Sequence, residues 1–188
     1  MATKSSKSTV EILLVNAALT GFPDKKLPLS RNLGTVDLIW PKVGTARKSA
    51  SREMTFRKGK VDFTAEPWAK RCLLREEIDS HCGLAVSISE PVSVQKIRRW
   101  AKLTAKAILK EGADVASSAM VGYGDVAAAP IDALATMVGE KDAPVSIAQG
   151  VIDLDDLPAE GAAKTVSIPL FRPLTDSAIG SLTLEIRG

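Results

Sequence analysis

The sequence predicts a mainly β protein, an antiparallel β-sandwich of seven or eight strands interrupted once by an inserted helical segment. Three observations carry that prediction. Most apolar runs are short, β-branched and alternating, as strands with one buried face require. Clusters of Gly, Pro, Asp and Ser separate them. One stretch, residues 92–140, leaves period two for a helical period. With 188 residues, 45% hydrophobic and 25% charged, the chain has the length and composition of one globular domain able to bury its own core. The expected organisation is a flexible N-terminus over 1–8 and a single domain over 9–188, with the insertion at about 92–140.

The elements follow in order. "TVEILLVNAAL" (9–19) is apolar and β-branched, too short for a typical core helix, and reads as a buried strand before the turn-rich "TGFPDKKLPLS". "TVDLIW" (35–40) is a short strand stopped by Pro41, and residues 42–52, with Gly, Ser and basic residues, read as a loop. "EMTFRKGKVDF" (53–63) sets Met54 and Phe56 before a Lys-Gly turn and Val61 and Phe63 after it, a hairpin signal. "RCLLREEI" (71–78) and "LAVSISE" (84–90) flank the turn "DSHCG", and Leu84, Val86 and Ile88 alternate onto one face. "PVSIAQGVIDL" (144–154), "TVSIPLF" (165–171) and "GSLTLEIR" (180–187) complete the strands.

Between Pro91 and residue 144 the period changes. Val94, Ile97, Trp100, Ala101, Leu103, Thr104, Ala107 and Ile108 share one half of a helical wheel; Arg98, Arg99, Lys102, Lys106 and Lys110 share the other. Ser93 suits an N-cap and Gly112 a C-terminal stop, with Lys106 and Lys110 near the negative end of the helix dipole. Residues 113–139 contain no basic residue, and Gly122, Gly124 and Pro130 divide them into two expected short helices.

Charge is unevenly spread. Residues 1–112 hold 21 Lys and Arg against 11 Asp and Glu, whereas 113–188 hold 4 against 11. That asymmetry steers the basic part toward an anionic surface, or toward the acidic part of the same fold or of another copy. Two cysteines are too few for a disulfide scaffold, and the polar start "MATKSSKST" is no secretory signal. No run approaches the ~20 apolar residues of a membrane span. The expectation is a soluble protein of the cytoplasm, peripheral to a membrane at most.

Catalytic and cofactor signals are weak. His81 is the only histidine and stands beside Cys82, but neighbours in a turn point to different sides, so a Cys-His nucleophile is not expected. Cys72 and Cys82 with one histidine cannot complete a structural zinc site. "GYGD" (122–125) lacks the Lys-Ser/Thr and the preceding strand of a phosphate loop, and "DLDD" (153–156) reads as a solvated connection. Trp40, Trp68, Trp100 and Tyr123 are too dispersed to form a base-stacking row, so nucleic acid binding is not expected. No enzyme activity, cofactor or metal is expected.

The strand residues resemble the C2 domain. The opening "VEILLVNAALTGF", with Val10, Ile12, Leu14, Ala17 and Leu19, is similar to that family's first strand, and "AQGVIDLDDLPAEGAAKTVSIPLFRPLTDSAIGSLTLEIRG" to its last three. The resemblance covers roughly 9–90 and 144–188 and implies an eight-strand sandwich serving as a binding module. Members that bind calcium supply several aspartates from two loops at one end, as a hard cation with six to eight oxygen ligands demands. Here those loops offer Asp24 beside Lys25 and Lys26, and Glu90 in "SISEPVS". Calcium-independent binding is therefore expected.

The helix over 94–110 is the sharpest candidate site. Either its basic half is simply solvated while the apolar half docks on the sandwich, or Arg98, Arg99, Lys102 and Lys106 form a face for a partner protein or an anionic phospholipid surface. The alternative function is a structural subunit that self-associates, as a homo-oligomer, through its oppositely charged halves.

Overall fold

A computed structural model describes residues 8–20, 29–40, 46–78, 81–91 and 145–188. Nine strands and one short helix lie among them: β1 (Ser8–Leu19), β2 (Leu29–Ile39), β3 (Ala46–Arg57), β4 (Lys60–Asp62), α1 (Trp68–Arg71), β5 (Cys72–Ile78), β6 (Cys82–Pro91), β7 (Ser146–Leu154), β8 (Ala163–Phe171) and β9 (Ala178–Arg187). The mainly β, antiparallel expectation stands. The expected helical insertion, its helix over 94–110 included, and residues 1–7 lie outside the described residues.

Two strands are longer than expected, and the reason is the same in each. β2 starts at Leu29 rather than 35, and β3 starts at Ala46, inside the stretch expected to be a loop. Apart from Leu29 and Leu33 the added residues are polar or small, yet Asn32, Ser49 and Ser51 are buried, and Ser51 Oγ lies 2.7 Å from Thr35 Oγ1. Pairing of each strand with its neighbours overrides a composition that by itself disfavours β structure.

Pairing runs β4-β3-β2-β6-β7-β8-β9-β1-β5, with a further β4–β1 pairing that closes eight strands into a ring. Two joints of that ring are narrow. β7 meets β8 through Gln149↔Phe171 alone, and β3 meets β4 through Arg57↔Lys60 across their turn. β1 pairs with β9 along one edge; its other edge is shared by β5 on Ser8–Leu13 and β4 on Asn16–Ala18. A register shift between Leu14 and Asn16 makes this sharing possible by bending the strand at Val15. There Val15 O accepts from Phe63 N (2.9 Å) and Leu14 O from Arg71 Nε (2.9 Å).

The core is the inward set that period two places on one face: Val10, Ile12 and Leu14 of β1, Leu84, Val86 and Ile88 of β6, Val166, Ile168 and Leu170 of β8, and Leu182, Leu184 and Ile186 of β9. Each such side chain contributes about 1.5–3 kcal/mol on burial. The outward side of β1, β5 and β9 is polar and cross-linked. Trp68 Nε1 donates to Glu11 (3.1 Å), which also faces Arg75 (3.5 Å), and Arg71 donates to Glu185 (2.7 Å), which accepts from Arg187 as well (2.6 Å). The free edge of β5 is shielded by side chains of β3, since Lys48 Nζ donates to Arg75 O (2.8 Å) and Arg52 bonds Lys70 O and Glu66. A paired or blocked edge is what keeps a sheet from adding strands.

One end of the molecule collects the connections that matter for function. Leu29 pairs with Arg57, Asn32 with Pro91, and Ser89 with Ser146, so the β1–β2 and β6–β7 connections and the β3–β4 turn share that end. Glu90 N donates to Val145 O at 2.7 Å, so the chain leaves and re-enters the sheet at adjoining positions around residues 92–144. Asn32 Nδ2 to Ser89 O (2.8 Å) and Leu33 N to Ser89 Oγ (2.9 Å) clip β2 to β6 just below.

Candidate functional site

The basic residues singled out from the sequence, Arg98, Arg99, Lys102 and Lys106, lie outside the described residues, as do Asp24, Lys25 and Lys26. Among the described residues the connection-rich end carries a second basic cluster that sequence reasoning passed over, Arg57, Lys58 and Lys60 on the β3–β4 turn. The signal was available in the run "RKGK" at an expected turn.

The turn is built to hold these cations in fixed positions. Lys58 and Gly59 have φ of 50° and 76°, the pair of positive values that defines the two-residue hairpin turn whose twist matches its strands. Gly59 is required rather than convenient: a Cβ there would lie 2.4 Å from Leu19 O, and Leu19 N donates to Gly59 O at 2.8 Å. The tip is thereby bolted to the end of β1. Lys58, a non-glycine residue in left-handed backbone, costs about 1 kcal/mol there. Arg57, Lys58 and Lys60 are exposed, and none has an ion-pair partner among the described residues.

Beneath the tip lies an open groove of about 620 Å³ lined by Asn16, Ala18, Thr55, Arg57, Lys60 and Asp62, among others. Asp62 is its one carboxylate. The Thr64 backbone N–H, donating to Asp62 Oδ1 at 2.8 Å, holds that carboxyl below the usual aspartate range. Among the groove's charged groups Arg57 and Lys60 outnumber that carboxylate, an arrangement that suits an anion rather than a metal ion.

Neither cysteine is activated. Cys82 is buried in the core, and burial pushes its thiol up to about 11. Burial, with Glu11 second, does the same to the half-buried Cys72. A nucleophilic cysteine needs the opposite shift. Among the described residues no three His, Cys, Asp or Glu side chains gather where they could hold a metal ion, and no helix is long and apolar enough to cross a membrane.

No protein-family model matches the sequence, and no curated protein matches it. Among solved structures, the chain is similar to the C2A domain of a plant Extended Synaptotagmin 1, with a TM-score of 0.45 and 12% sequence identity over 95% of this chain and 92% of that one.

Proposed function

We propose that this chain is a non-enzymatic binding module, a C2-like sandwich that docks an anionic surface on its connection-rich end without calcium. The observation that carries the reading is the rigid presentation of Arg57, Lys58 and Lys60, exposed and without carboxylate partners among the described residues. Holding unpaired like charges together opposes folding, and a binding partner of opposite sign offsets that cost. Residues 92–144 leave and rejoin at this same end, so we assign Arg98, Arg99, Lys102 and Lys106 to the same contact. The cytoplasmic leaflet of a membrane, or an acidic partner protein, supplies such a surface.

Each cation near an anionic membrane contributes about 1 kcal/mol, so the three tip residues together are worth roughly a hundredfold in affinity. The test is flotation of Arg57→Glu/Lys58→Glu/Lys60→Glu with phosphatidylcholine/phosphatidylserine vesicles, alongside a second variant reversing Arg98, Arg99, Lys102 and Lys106. Both variants should bind weakly while melting as the wild type does, and wild-type binding should fall steeply with salt. Wild-type binding by the folded tip variant would overturn the reading.

One observation favours a second reading. Asp153, Asp155, Asp156 and Glu160, at the opposite end on and after β7, are all exposed and have no ion pair among the described residues. A basic end on one copy and an acidic end on the next would give head-to-tail assembly. Gel filtration at low and high salt separates the two, because only assembly yields an oligomer that salt dissolves.

A further inference from the structure

The β8–β9 connection carries a feature that charge does not explain. Leu174 is fully exposed, at a relative accessibility of 106%, and its φ is 62°. Arg172 O accepts from Thr175 N (3.1 Å), which makes a four-residue turn with Pro173 and Leu174 at its centre. Pro presets the second position, and the third, with positive φ, ordinarily takes Gly or Asn. A leucine there is strained as well as solvated, and the loop is ordered around it. Thr175 Oγ1 donates to Arg172 O (3.1 Å) and accepts from Ser177 N (3.3 Å), while Arg172 N donates to Ser177 O (3.0 Å). Single exposed apolar residues are ordinary. One held in disfavoured backbone at the apex of a braced turn, next to the part-exposed Phe171, is not.

Its position completes the picture. Thr20 N donates to Ile179 O (2.6 Å) just as Leu19 N donates to Gly59 O, so the start of β9, which follows the Leu174 loop, and the basic tip flank the last residue of β1 and the residue after it. The strands that carry them, β4 and β9, lie on either side of β1, two strand spacings or roughly 10 Å apart. Arg172 is exposed beside Leu174, and Asp176 is the loop's single carboxylate. This end therefore presents an apolar apex and a row of cations side by side. A convex apex can be covered only by a pocket made to fit it or by a medium that yields around it, and the spread of cations across neighbouring connections fits a laterally uniform anionic plane.

We propose that the partner is a phospholipid bilayer and that Leu174 inserts into it as an anchor while Arg57, Lys58, Lys60 and Arg172 rest on anionic headgroups. This rests on the membrane form of the reading above. Burying one leucine side chain is worth roughly 10- to 100-fold in affinity. Asn tolerates left-handed backbone, so Leu174→Asn should raise the melting temperature by about 2–6 °C while weakening vesicle binding by that 10- to 100-fold factor. Its retention on heparin, a polyanion with no apolar interior, should match wild type. Leu174→Phe, apolar but equally strained, should keep vesicle binding.

Equal vesicle binding by wild type and Leu174→Asn would overturn the anchor, and if the tip reversal still abolishes binding the basic-end reading survives alone. Equal losses on vesicles and on heparin would also overturn it, by showing a charge effect in place of insertion. So would loss of binding by Leu174→Phe in a folded protein, which would point to a shaped pocket on a partner protein. Loss in Leu174→Asn with no loss in the tip reversal would support insertion and remove the basic-end reading.

Discussion

Removing the guanidinium of Arg71 should unfasten the outward side of β1. Its Nε donates to Leu14 O at 2.9 Å, at the bend where β1 changes partners, and its Nη2 donates to Glu185 at 2.7 Å. Both side chains of the pair are mostly covered, with 15% and 18% of their surface exposed. A hydrogen bond involving a charged group contributes about 1.5–3 kcal/mol, but Glu185 keeps its bond to Arg187 and the site is partly wet, so Arg71→Ala should cost about 2–3 kcal/mol. For a chain of this length that is a fall of roughly 5–10 °C in melting temperature. Glu185 sets the pH dependence. The hydrogen bond from Arg187, reinforced by Arg71, holds its carboxyl below the usual glutamate range. A depressed carboxyl stabilises the fold above its unfolded pKa, and that contribution is lost as pH falls through the lower folded value. The gap between wild type and Arg71→Ala should therefore be full near pH 7 and shrink in acid, as pH falls from the ordinary glutamate range through the lower folded value and Glu185 takes up its proton. Urea titrations at both pH values measure it, with Arg187→Ala, a more exposed partner, costing under about 1 kcal/mol for comparison. A change for Arg71→Ala below about 0.5 kcal/mol near neutrality, or one that grows in acid, would refute this account of the bend.

Two further outcomes are expected. Because burial raises both thiols to about 11, Cys72 and Cys82 in the native protein should react with iodoacetamide at pH 8 roughly a hundredfold slower than a free cysteine, and labelling should reach the free rate only on unfolding. Calcium at millimolar concentration should leave the melting temperature unchanged in differential scanning fluorimetry, since any site selective for the native state would raise it; a rise reversed by chelator would show that calcium binds.

The strands that sequence patterning located best are those with apolar side chains on one face only. Leu84, Val86 and Ile88 of β6 and Leu182, Leu184 and Ile186 of β9 alternate cleanly and are all buried. The resemblance to C2 strands rested on just such runs. The first residues of β2 and most of β3 were illegible because Asn32, Ser49 and Ser51 occupy buried positions with polar side chains, so hydropathy gives no period to read. α1 was missed because four residues are less than a recognisable helical repeat. In the site, the Lys-Gly turn was legible, but its fixed position against the end of β1 depends on β1 lying against β4, a contact between residues far apart in the chain. Leu174 was hidden for a different reason: "RPLTD" reads as an ordinary Pro turn, and only the backbone shows which side of it the leucine occupies.

The bond from Glu90 N to Val145 O has a kinetic consequence. β6 and β7 pair in register as neighbouring hairpin strands do, but in the unfolded chain their adjoining ends are separated by residues 92–144. Closing a flexible loop of about fifty residues instead of about four costs about 2 kcal/mol more in chain entropy, and it must be met before the first pair forms. The pairing of β1 with β9 spans nearly the whole described chain and carries a still larger closure cost. β2 and β3, joined by a short connection and paired over Leu29–Ile39, can zip early, and the two long-range ladders then close on them. Slow folding set by topology follows.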